Sequence, residues 1–464
     1  MTPNRDNSQL RVIIIGGAVS GLTLAHCLEK ARIDYVVLEK HRDITTNIGG
    51  SVALQPAGCR ILDQLGVLDH LWKYMNDIQA VNVGLPDGYT RRHAMFARNL
   101  TEIGYPFSAL TRRNLLYTLF NSLEGRSKVK VGARVVGINR STAFNGQLTV
   151  TTENGEHYTG DIVVGADGVH GIALKEMWRL AEPPASPALV KDKSSMTVDY
   201  MCLFGMTTPS KEMTATMKPG EIYTRSYLHV FWTIIPNFDT TINWFVMIKL
   251  DRTYVHPDVP RWSQREVKAK LEELGGYPLY GQIRFRDLCA NLCIETSAAL
   301  ANSLHRLTSR YAGTFTKPTD AEIRRALSSY QDTIHARIEG ISAFSYRMSR
   351  VHSLEIPFIA QLMLRYTIRI AARLAHYKNT KEYEGGMVLE YLPLPERDRL
   401  FATKRAITLA EWRAFFQNLQ FRCGVLLLVL MLATNVFLFP GSIDAVVGRV
   451  PLVFKAGLNR DSGV

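Results

Sequence analysis

The stretch IIIGGAVSGLTLAHCLEKARIDYVVLE, residues 13–39, decides the fold of this chain. A short run of β-branched residues, Val12–Ile15, meets a glycine-rich turn, and Leu22–Lys30 then repeats apolar residues at helical spacing. Tyr35–Leu38 is a second apolar strand, and it ends on Glu39. The order of strand, glycine turn, helix and strand predicts a Rossmann-type α/β domain.

The glycine turn of this unit predicts a dinucleotide site. Gly16, with Gly17 beside it, permits a tight turn, and Gly21 lets the helix pack closely against the sheet, so that the helix N-terminus faces a pyrophosphate. Glu39 follows Gly21 by eighteen residues and is placed to accept hydrogen bonds from a ribose 2′-hydroxyl. Ala18 replaces the middle glycine, which narrows the approach to the phosphates without preventing it.

A second motif favours FAD over NAD as the dinucleotide. The strand DIVVGADG, residues 161–168, ends on Asp167 and Gly168. In a flavoprotein such a carboxylate bonds ribityl or ribose hydroxyls, and the glycine lets the backbone lie against the cofactor. An ordinary turn is the alternative reading of these residues. An NAD-dependent reductase is disfavoured, because no Tyr-x-x-x-Lys pair lies near the nucleotide motif.

Length and composition describe a folded protein of more than one unit. The chain has 464 residues, of which 46% are hydrophobic and 21% charged, and this length exceeds that of most single cores. The cysteines are scattered without metal-ligand spacing, which predicts a reduced compartment and no metal site. They are Cys27, Cys59, Cys202, Cys289, Cys293 and Cys423.

The basic excess favours a membrane surface over nucleic acid. The formal net charge is +13, and many arginines between Arg306 and Arg373 precede a long apolar run, with no nucleic-acid-binding motif. Solvated helix faces explain these arginines equally well. The polar N-terminus runs directly into a strand, which predicts that no signal peptide is present.

The pattern of residue types changes after the first 180 residues. Three aromatic and β-branched runs predict an antiparallel sheet that forms a substrate layer. They are Thr197–Phe204, Tyr227–Ile235 and Ile242–Ile248. We therefore expect an FAD-binding domain at 1–180, a substrate domain at 181–290, a helical completion of the flavin domain at 291–400 and a membrane anchor at 401–464.

Many stretches in order resemble the class A FAD-dependent monooxygenases. Within that class the chain is similar to a fungal group that epoxidises prenyl chains in terpenoid, meroterpenoid and indole-diterpene pathways of the paxilline type. The resemblance covers nearly the whole chain. Beyond the first motif, it is carried by IGGSVALQPAGCRILDQLG, GLPDGYTRR, GDIVVGADGVHG, KEMWRLAE, VDYMCLFG, KLDRTYVHPDVPRWS and YLPLPER.

The resemblance implies roles for individual residues. Glu39 corresponds to the adenosine-ribose ligand, Ala53 to a backbone contact with FAD, and Asp167 to the second nucleotide motif. Arg112, in LTRRNLL, corresponds to the arginine that helps to hold the cofactor, although the neighbouring Arg113 competes for that assignment.

The resemblance also places an active-site tyrosine at Tyr227. A phenol there would orient the substrate or form a hydrogen bond near the flavin. A sheet aromatic with its hydroxyl at the surface is an equal alternative.

The chemistry that the resemblance implies is oxygenation of a prenylated small molecule with NAD(P)H and O2. NAD(P)H reduces FAD, O2 adds to the flavin, and one oxygen atom passes to the substrate. The protein supplies binding, orientation and exclusion of water. A dedicated acid–base pair is therefore not expected.

The chain departs from the family at its third FAD motif. The family carries a strand ending in Gly-Asp, whereas Gly160-Asp161 belongs to the earlier motif here. Leu288 and Ala290 bracket an apparent deletion of several tens of residues, and Gly171, Ile172 and Leu174 replace polar residues. A mis-called intron and a catalytically impaired, membrane-bound relic are the two explanations.

A C-terminal apolar stretch predicts a single-pass membrane anchor. Residues 423–440 are uncharged, and their number is close to the roughly 20 residues that span a bilayer. A buried core helix is the alternative. We expect a cytosolic catalytic domain, with the endoplasmic reticulum as the membrane, although flanking charges do not fix the orientation. Residues 356–375 are expected to lie along the membrane interface or to pack on the flavin domain.

Overall fold

A computed structural model describes residues 10–45, 50–140, 147–181, 197–209, 211–238, 241–255, 258–260, 262–274, 279, 291–311, 318–367 and 379–398. All of these residues belong to one compact unit, Met1–Phe401. The strands, numbered in chain order, are β1 (Arg11–Ile15), β2 (Asp34–Glu39), β3 (Ser51–Leu54), β4 (Asn76–Asp77), β5 (Ala80–Gly84), β6 (Thr90–His93), β7 (Ser108–Thr111), β8 (Val129–Val131), β9 (Val135–Arg140), β10 (Leu148–Thr152), β11 (His157–Gly160), β12 (Ile162–Gly165), β13 (Thr197–Thr207), β14 (Glu221–Tyr227), β15 (Val230–Pro236) and β16 (Ile242–Val255).

The helices frame these strands. They are α1 (Val19–Lys30), α2 (Pro56–Gln64), α3 (Leu68–Trp72), α4 (Arg112–Ser122), α5 (Ile172–Leu180), α6 (Lys211–Thr216), α7 (Gln264–Glu273), α8 (Asn291–Thr308), α9 (Asp320–His352) and α10 (Pro357–Leu362). Thr319 caps α9 through a reciprocal capping box with Glu322, which explains why this long helix begins where it does.

A parallel sheet contains the two strands that flank the glycine turn and α1. Its order is β12-β1-β2-β8, and β1 pairs in parallel with both β2 and β12. The residues of β1 are almost wholly buried, because a parallel strand is covered on both faces. Within the described residues, β12 and β8 are the edge strands of this sheet.

A six-stranded sheet forms a second layer, in the order β13-β16-β15-β14-β5-β6. The predicted antiparallel layer is therefore a mixed sheet, because β14 pairs in parallel with β5 while the other ladders are antiparallel. Two of its strands, β5 and β6, come from residues 80–93 rather than from the later part of the chain. Two further three-stranded sheets, β11-β10-β9 and β3-β7-β4, complete the strands described.

One predicted strand is divided by a turn. Tyr227–Ile235 was expected to be continuous, but Tyr227 ends β14 and Val230 begins β15. The hairpin turns through Leu228 and His229, and His229 takes the left-handed region with φ of 61°. Because neither residue is glycine, proline, asparagine or aspartate, the turn carries no usual sequence signal.

Within the described part of the chain, no helix combines the length and apolar character needed to cross a membrane. The predicted anchor helix at 423–440 lies outside the described residues. So do the predicted deletion at Leu288–Ala290 and residues 368–375 of the predicted interfacial segment. The start of that segment contains α10, whose Ala360 is buried.

Candidate active site

The glycine turn after β1 leaves no space for a side chain at two of its positions. Gly16 has φ of 108°, and its N–H donates to the carbonyl of Leu38 at 2.8 Å. A Cβ atom on Gly16 would lie 2.5 Å from the carbonyl oxygen of Ala166, and one on Gly21 would lie 1.9 Å from the carbonyl oxygen of Gly16. Both positions therefore require glycine.

The N-terminus of α1 is left available for an anion. Ala18 is the N-cap residue, no side chain caps the helix, and its first turn carries no acidic residue. The first N–H groups of a helix lack intrahelical partners and carry a partial positive charge. This arrangement fits a pyrophosphate at the helix end.

Glu39 lies beside this turn at the end of β2 and is 8% exposed. One carboxylate oxygen accepts the N–H of Gly17 at 2.7 Å, and the other accepts the N–H of His41 at 2.8 Å. Each oxygen keeps a further lone pair for a ribose hydroxyl. The carboxylate is thus held in place by the backbone at the edge of the glycine turn.

Removing this carboxylate is expected to weaken FAD binding. Glu39→Ala loses the hydrogen bonds that orient the turn, and hydrogen bonds to charged groups are worth about 1.5–3 kcal/mol each. We expect the FAD dissociation constant to rise at least tenfold, measured by fluorescence titration of the apoprotein. Glu39→Gln, which keeps one acceptor, should fall between Glu39→Ala and the unaltered protein, and equal affinities in all three would contradict this role.

The arginine predicted to hold the cofactor directly follows a strand of the small sheet β3-β7-β4. Ala53 pairs with Ala109, and Arg112 follows β7 as the first residue of α4. The N–H of Arg112 donates to the carbonyl of Gly50 at 3.0 Å. Burial lowers the pKa of Arg112, and the carboxylate of Glu39 opposes that shift, so the two side chains share one environment.

The structure separates Arg112 from its neighbour. Arg112 is half-buried, whereas Arg113 is exposed and lies near Asp43. We expect Arg112→Ala to weaken FAD binding by about tenfold, the usual value of one lost charge-assisted hydrogen bond, and Arg113→Ala to leave it unchanged. Parallel flavin titrations of the two variants test this prediction, and an equal loss in both would contradict it.

In the second motif, the side chain of Asp167 contacts α5, the helix that follows it. The carboxylate of Asp167 accepts the N–H of Ala173 at 3.2 Å in the first turn of α5. A Cβ atom on Gly171 would lie 2.2 Å from that carboxylate, so the unusual glycine makes room for it. Gly168 has φ of 85° and no atom near its missing Cβ. In this conformation Asp167 stabilises the start of α5.

A cavity of about 1030 Å³ lies along β12 and the start of α5. Its walls include Ser20 of α1, the motif from Gly165 to Val169, and the N-terminal residues of α9, Asp320, Ile323 and Arg324. Sequence reasoning missed the contribution of α9. The capping signal Thr-x-x-Glu at 319–322 marks the start of that helix, but nothing local shows which motif it lies beside.

Tyr227 packs in a different apolar cluster from β1, α1 and β2. Its ring meets that of Trp232 edge-on, with centroids 5.1 Å apart, and packs against the apolar cluster that includes Met217 and Leu274. This environment agrees with the packing alternative for Tyr227, and its catalytic role stays a prediction. The residues predicted to bind the nucleotide, in the glycine turn, α1, β2 and α4, by contrast lie close together.

The residues present fit the adenosine-pyrophosphate half of FAD. Glycine makes close backbone approach possible, the uncapped end of α1 suits the phosphates, and Glu39 has acceptor capacity for a ribose. The FAD binding domain family matches residues 9–185, which contain all of these features.

Fungal enzymes are similar to the chain over nearly its whole length. The FAD-dependent monooxygenase esdpE of Penicillium shearii is 33% identical, covering 92% of this chain and 93% of that protein. The FAD-dependent monooxygenase ctvC of Aspergillus terreus is 31% identical over 90% of this chain and 96% of its own length. The FAD-dependent monooxygenase paxM of Penicillium paxilli is 30% identical over 84% and 89%.

Solved structures share the fold at low sequence identity. Klebsiella pneumoniae HpxO complexed with FAD and uric acid has a TM-score of 0.55 at 15% identity, covering 83% of this chain and 98% of that one. CtdE in complex with FAD and its substrate has a TM-score of 0.55 at 13% identity, covering 74% and 90%. With the nucleotide geometry and the fungal relatives, the chain is thus a member of the FAD-dependent monooxygenases, flavoprotein oxidoreductases that use FAD as cofactor.

Proposed function

We propose that this monooxygenase epoxidises a prenyl double bond of a terpenoid or meroterpenoid in fungal secondary metabolism, with NAD(P)H as electron donor and O2 as co-substrate. The observation that carries the proposal is similarity to fungal FAD-dependent monooxygenases at 30–33% identity over most of the chain. The motif resemblance to prenyl-epoxidising enzymes supports the finer choice of substrate.

FAD and the residues of this chain would have separate roles in the proposed reaction. Bound FAD supplies the redox chemistry and the activation of O2, while the protein binds, orients and excludes water. We propose that Gly16, Gly17 and Gly21 admit the pyrophosphate, that Glu39 holds the adenosine ribose, and that Arg112 balances the cofactor's negative charge. Ala53, Asp167 and Gly168 are proposed as further cofactor contacts, and Tyr227 as the active-site tyrosine.

Membrane anchoring forms a second part of the proposal. Residues 401–464 would hold one spanning helix at about 423–440, with the catalytic domains at 1–180, 181–290 and 291–400 in the cytosol at the endoplasmic reticulum. The support is the uncharged length of that segment. An anchor would keep the enzyme beside a prenylated substrate that partitions into lipid.

The purified full-length protein tests the catalytic proposal. We expect a yellow protein whose flavin absorption disappears with NADPH under nitrogen and returns when O2 is admitted. With 18O2 and a prenylated substrate, the product should gain one labelled oxygen at a former double bond. A colourless protein after FAD reconstitution would contradict the proposal of a flavin-dependent reaction. A product labelled at any other position would contradict the proposal of epoxidation.

The predicted deletion has its own test. The alignment with esdpE runs over 473 positions while covering 92% of this chain, about 427 residues, so about 46 positions have no counterpart here. Among the described residues β12 is an edge strand with a cavity beside it, so a further strand could pair there. Sequencing the transcript across codons 285–295 distinguishes a mis-called intron from a true deletion, and the longer form should then bind FAD more tightly.

A further inference from the structure

Four apolar side chains are exposed around one short stretch, Ser353–Glu355, which directly follows α9. They are Leu228, Tyr346, Ile356 and Phe358, and we call them the docking patch. Single exposed apolar residues are ordinary on a soluble protein, whereas several gathered at one place mark an interaction surface. The patch is therefore a candidate for contact with a partner outside the chain.

The tip of the β14–β15 hairpin supplies Leu228. Its neighbour His229 donates its N–H to the carbonyl of Ser353 at 2.7 Å, which fixes the tip against the end of α9. Turn residues are usually glycine, proline or small polar residues, because each of these favours a turn conformation. Leu228 is nevertheless exposed at this tip. Burial inside the protein therefore does not explain why an apolar residue is found there.

The start of α10 supplies Ile356 and Phe358. Pro357 begins this helix, and Ile356 is its N-cap residue. Ala360 is buried, and Phe358 lies two residues before it, about 200° around the helix axis, so that its ring points away from the protein. With 79% of its surface exposed, Phe358 is the most exposed large apolar side chain of the described residues.

Positive charge lies beside the patch. Glu355 pairs with Lys249 at 2.8 Å and with Arg350 at 3.1 Å, so that two cations share one anion. The ring centroid of Tyr346 lies 5.9 Å from the guanidinium carbon of Arg350, which places the tyrosine ring beside this group. Arg347 adds a further cation one turn before Arg350. The net positive charge of these groups favours an anionic surface as the partner.

A lipid bilayer fits this combination of side chains. Leucine, isoleucine and phenylalanine bury at the boundary between headgroups and acyl chains, tyrosine lies at the level of the headgroups, and lysine and arginine reach the phosphates. A stable protein interface uses about 20–30 residues from each partner, which is far more than the patch contains. Insertion into a bilayer needs fewer residues, because each apolar side chain is buried by lipid independently.

We propose that the docking patch inserts into the surface of a lipid bilayer and holds this end of the six-stranded sheet against it. The inference rests on the proposed function for the presence of a membrane. It is distinct from the proposed anchor, because the patch belongs to the folded unit Met1–Phe401 and not to the segment at 423–440. A prenylated substrate dissolved in the bilayer would then reach the protein without crossing water.

Quenching by brominated lipid tests the patch on the full-length protein. Phe358→Trp and Leu228→Trp are reconstituted in nanodiscs of phosphatidylcholine and phosphatidylserine, with and without bromine high on the acyl chains. The emission of the added tryptophan is the difference from the unaltered protein, whose own tryptophans are common to all samples. We expect bromine to remove about half or more of the added emission in both variants, because both side chains would lie about 5–10 Å deep in the lipid.

Val136→Trp is the matched control for these two variants. Val136 is exposed to a similar extent as Leu228, but it lies in β9, in a different sheet. A side chain away from the patch stays in water, so bromine should remove less than about a tenth of its added emission. Equal quenching at Val136 and at the patch, or no quenching at either patch position, overturns the inference.

Two further outcomes distinguish the docking patch from its alternatives. A dimer of the unaltered protein in native mass spectrometry that Phe358→Asp dissociates would identify a second copy as the occupant of the patch, and it would overturn the inference. A colourless protein whose Phe358→Trp and Leu228→Trp variants are quenched would contradict the proposed oxygenase function alone. The two failures are distinguishable because the quenching measurement needs no flavin.

Discussion

Gly21→Ala is expected to yield a protein that does not retain FAD. The added Cβ would lie 1.9 Å from the carbonyl oxygen of Gly16, a distance that no pair of non-bonded atoms adopts. Relief requires α1 to move away from β1, because the obstacle is backbone and not a flexible side chain. That movement displaces the helix N-terminus that faces the phosphates.

Gly21→Ala is expected to lower both the stability of the protein and its affinity for FAD. Overpacking of a close contact typically destabilises by about 1–3 kcal/mol, and a backbone obstacle places Gly21→Ala at the upper end. We expect the free energy of unfolding in urea to fall by about 3 kcal/mol, and flavin to be lost during gel filtration.

Gly137→Ala is the matched control for Gly21→Ala. Gly137 lies in β9, and its missing Cβ would have no atom within 4 Å. Surface substitutions of this kind usually change stability by less than about 0.5 kcal/mol. Should Gly21→Ala remain yellow and as stable as Gly137→Ala, the close approach of α1 to β1 would not be required for cofactor binding.

Arg60→Ala is expected to cause the largest loss of stability away from the nucleotide site. Arg60 lies in α2 and is 6% exposed. Its Nη2 donates to the carbonyls of Tyr383 at 3.0 Å and Gly386 at 2.7 Å, and its Nη1 lies 3.9 Å from Asp398. The guanidinium also lies 4.3 Å from the ring centroid of Tyr383. One side chain thereby attaches residues 383–398 to the nucleotide-binding half.

Removal of Arg60 would leave the buried carboxylate of Asp398 without its counter-charge and two carbonyls without their donor. Loss of one member of a buried ion pair costs about 3–5 kcal/mol, and we expect that loss in urea unfolding of Arg60→Ala. Arg60→Lys should recover only part of it, because an ammonium lacks the planar fork that reaches two carbonyls. Limited proteolysis should cut the 383–398 segment in Arg60→Ala first.

The pH dependence of Arg60→Ala has a defined sign. Burial raises the pKa of Asp398, and Arg60 opposes that shift. Without Arg60 the pKa rises further, so the deficit relative to the unaltered protein should shrink as the pH falls and Asp398 becomes protonated. Arg397→Ala is the control, since Arg397 is half-exposed and its two carboxylate contacts are 3.3 Å and 3.5 Å long. That variant should lose about 1 kcal/mol or less, and equal losses in Arg60→Ala and Arg397→Ala would contradict the role of burial.

The nucleotide unit could be predicted from sequence because its parts are local. Strand, glycine turn, helix and acidic strand end fall within residues 11–39, and the structure places them as β1, α1 and β2. Gly21 and Glu39 are recognisable because the chemistry of a tight turn and a ribose acceptor allows few other residues. The hairpin at Leu228 and His229 lacked such a signal, and so the face on which Tyr227 packs was not predictable.

The sequence by itself determined the Rossmann-type unit, the position of its carboxylate and the family. Tertiary structure alone decided that residues 80–93 join the six-stranded sheet, and which face of that sheet lies toward the glycine turn's half of the molecule. The physical reason is separation along the chain. Glycine turns and helix starts depend on neighbouring residues. Strand pairing and packing join segments more than a hundred residues apart, and no local sequence pattern identifies the partner segment.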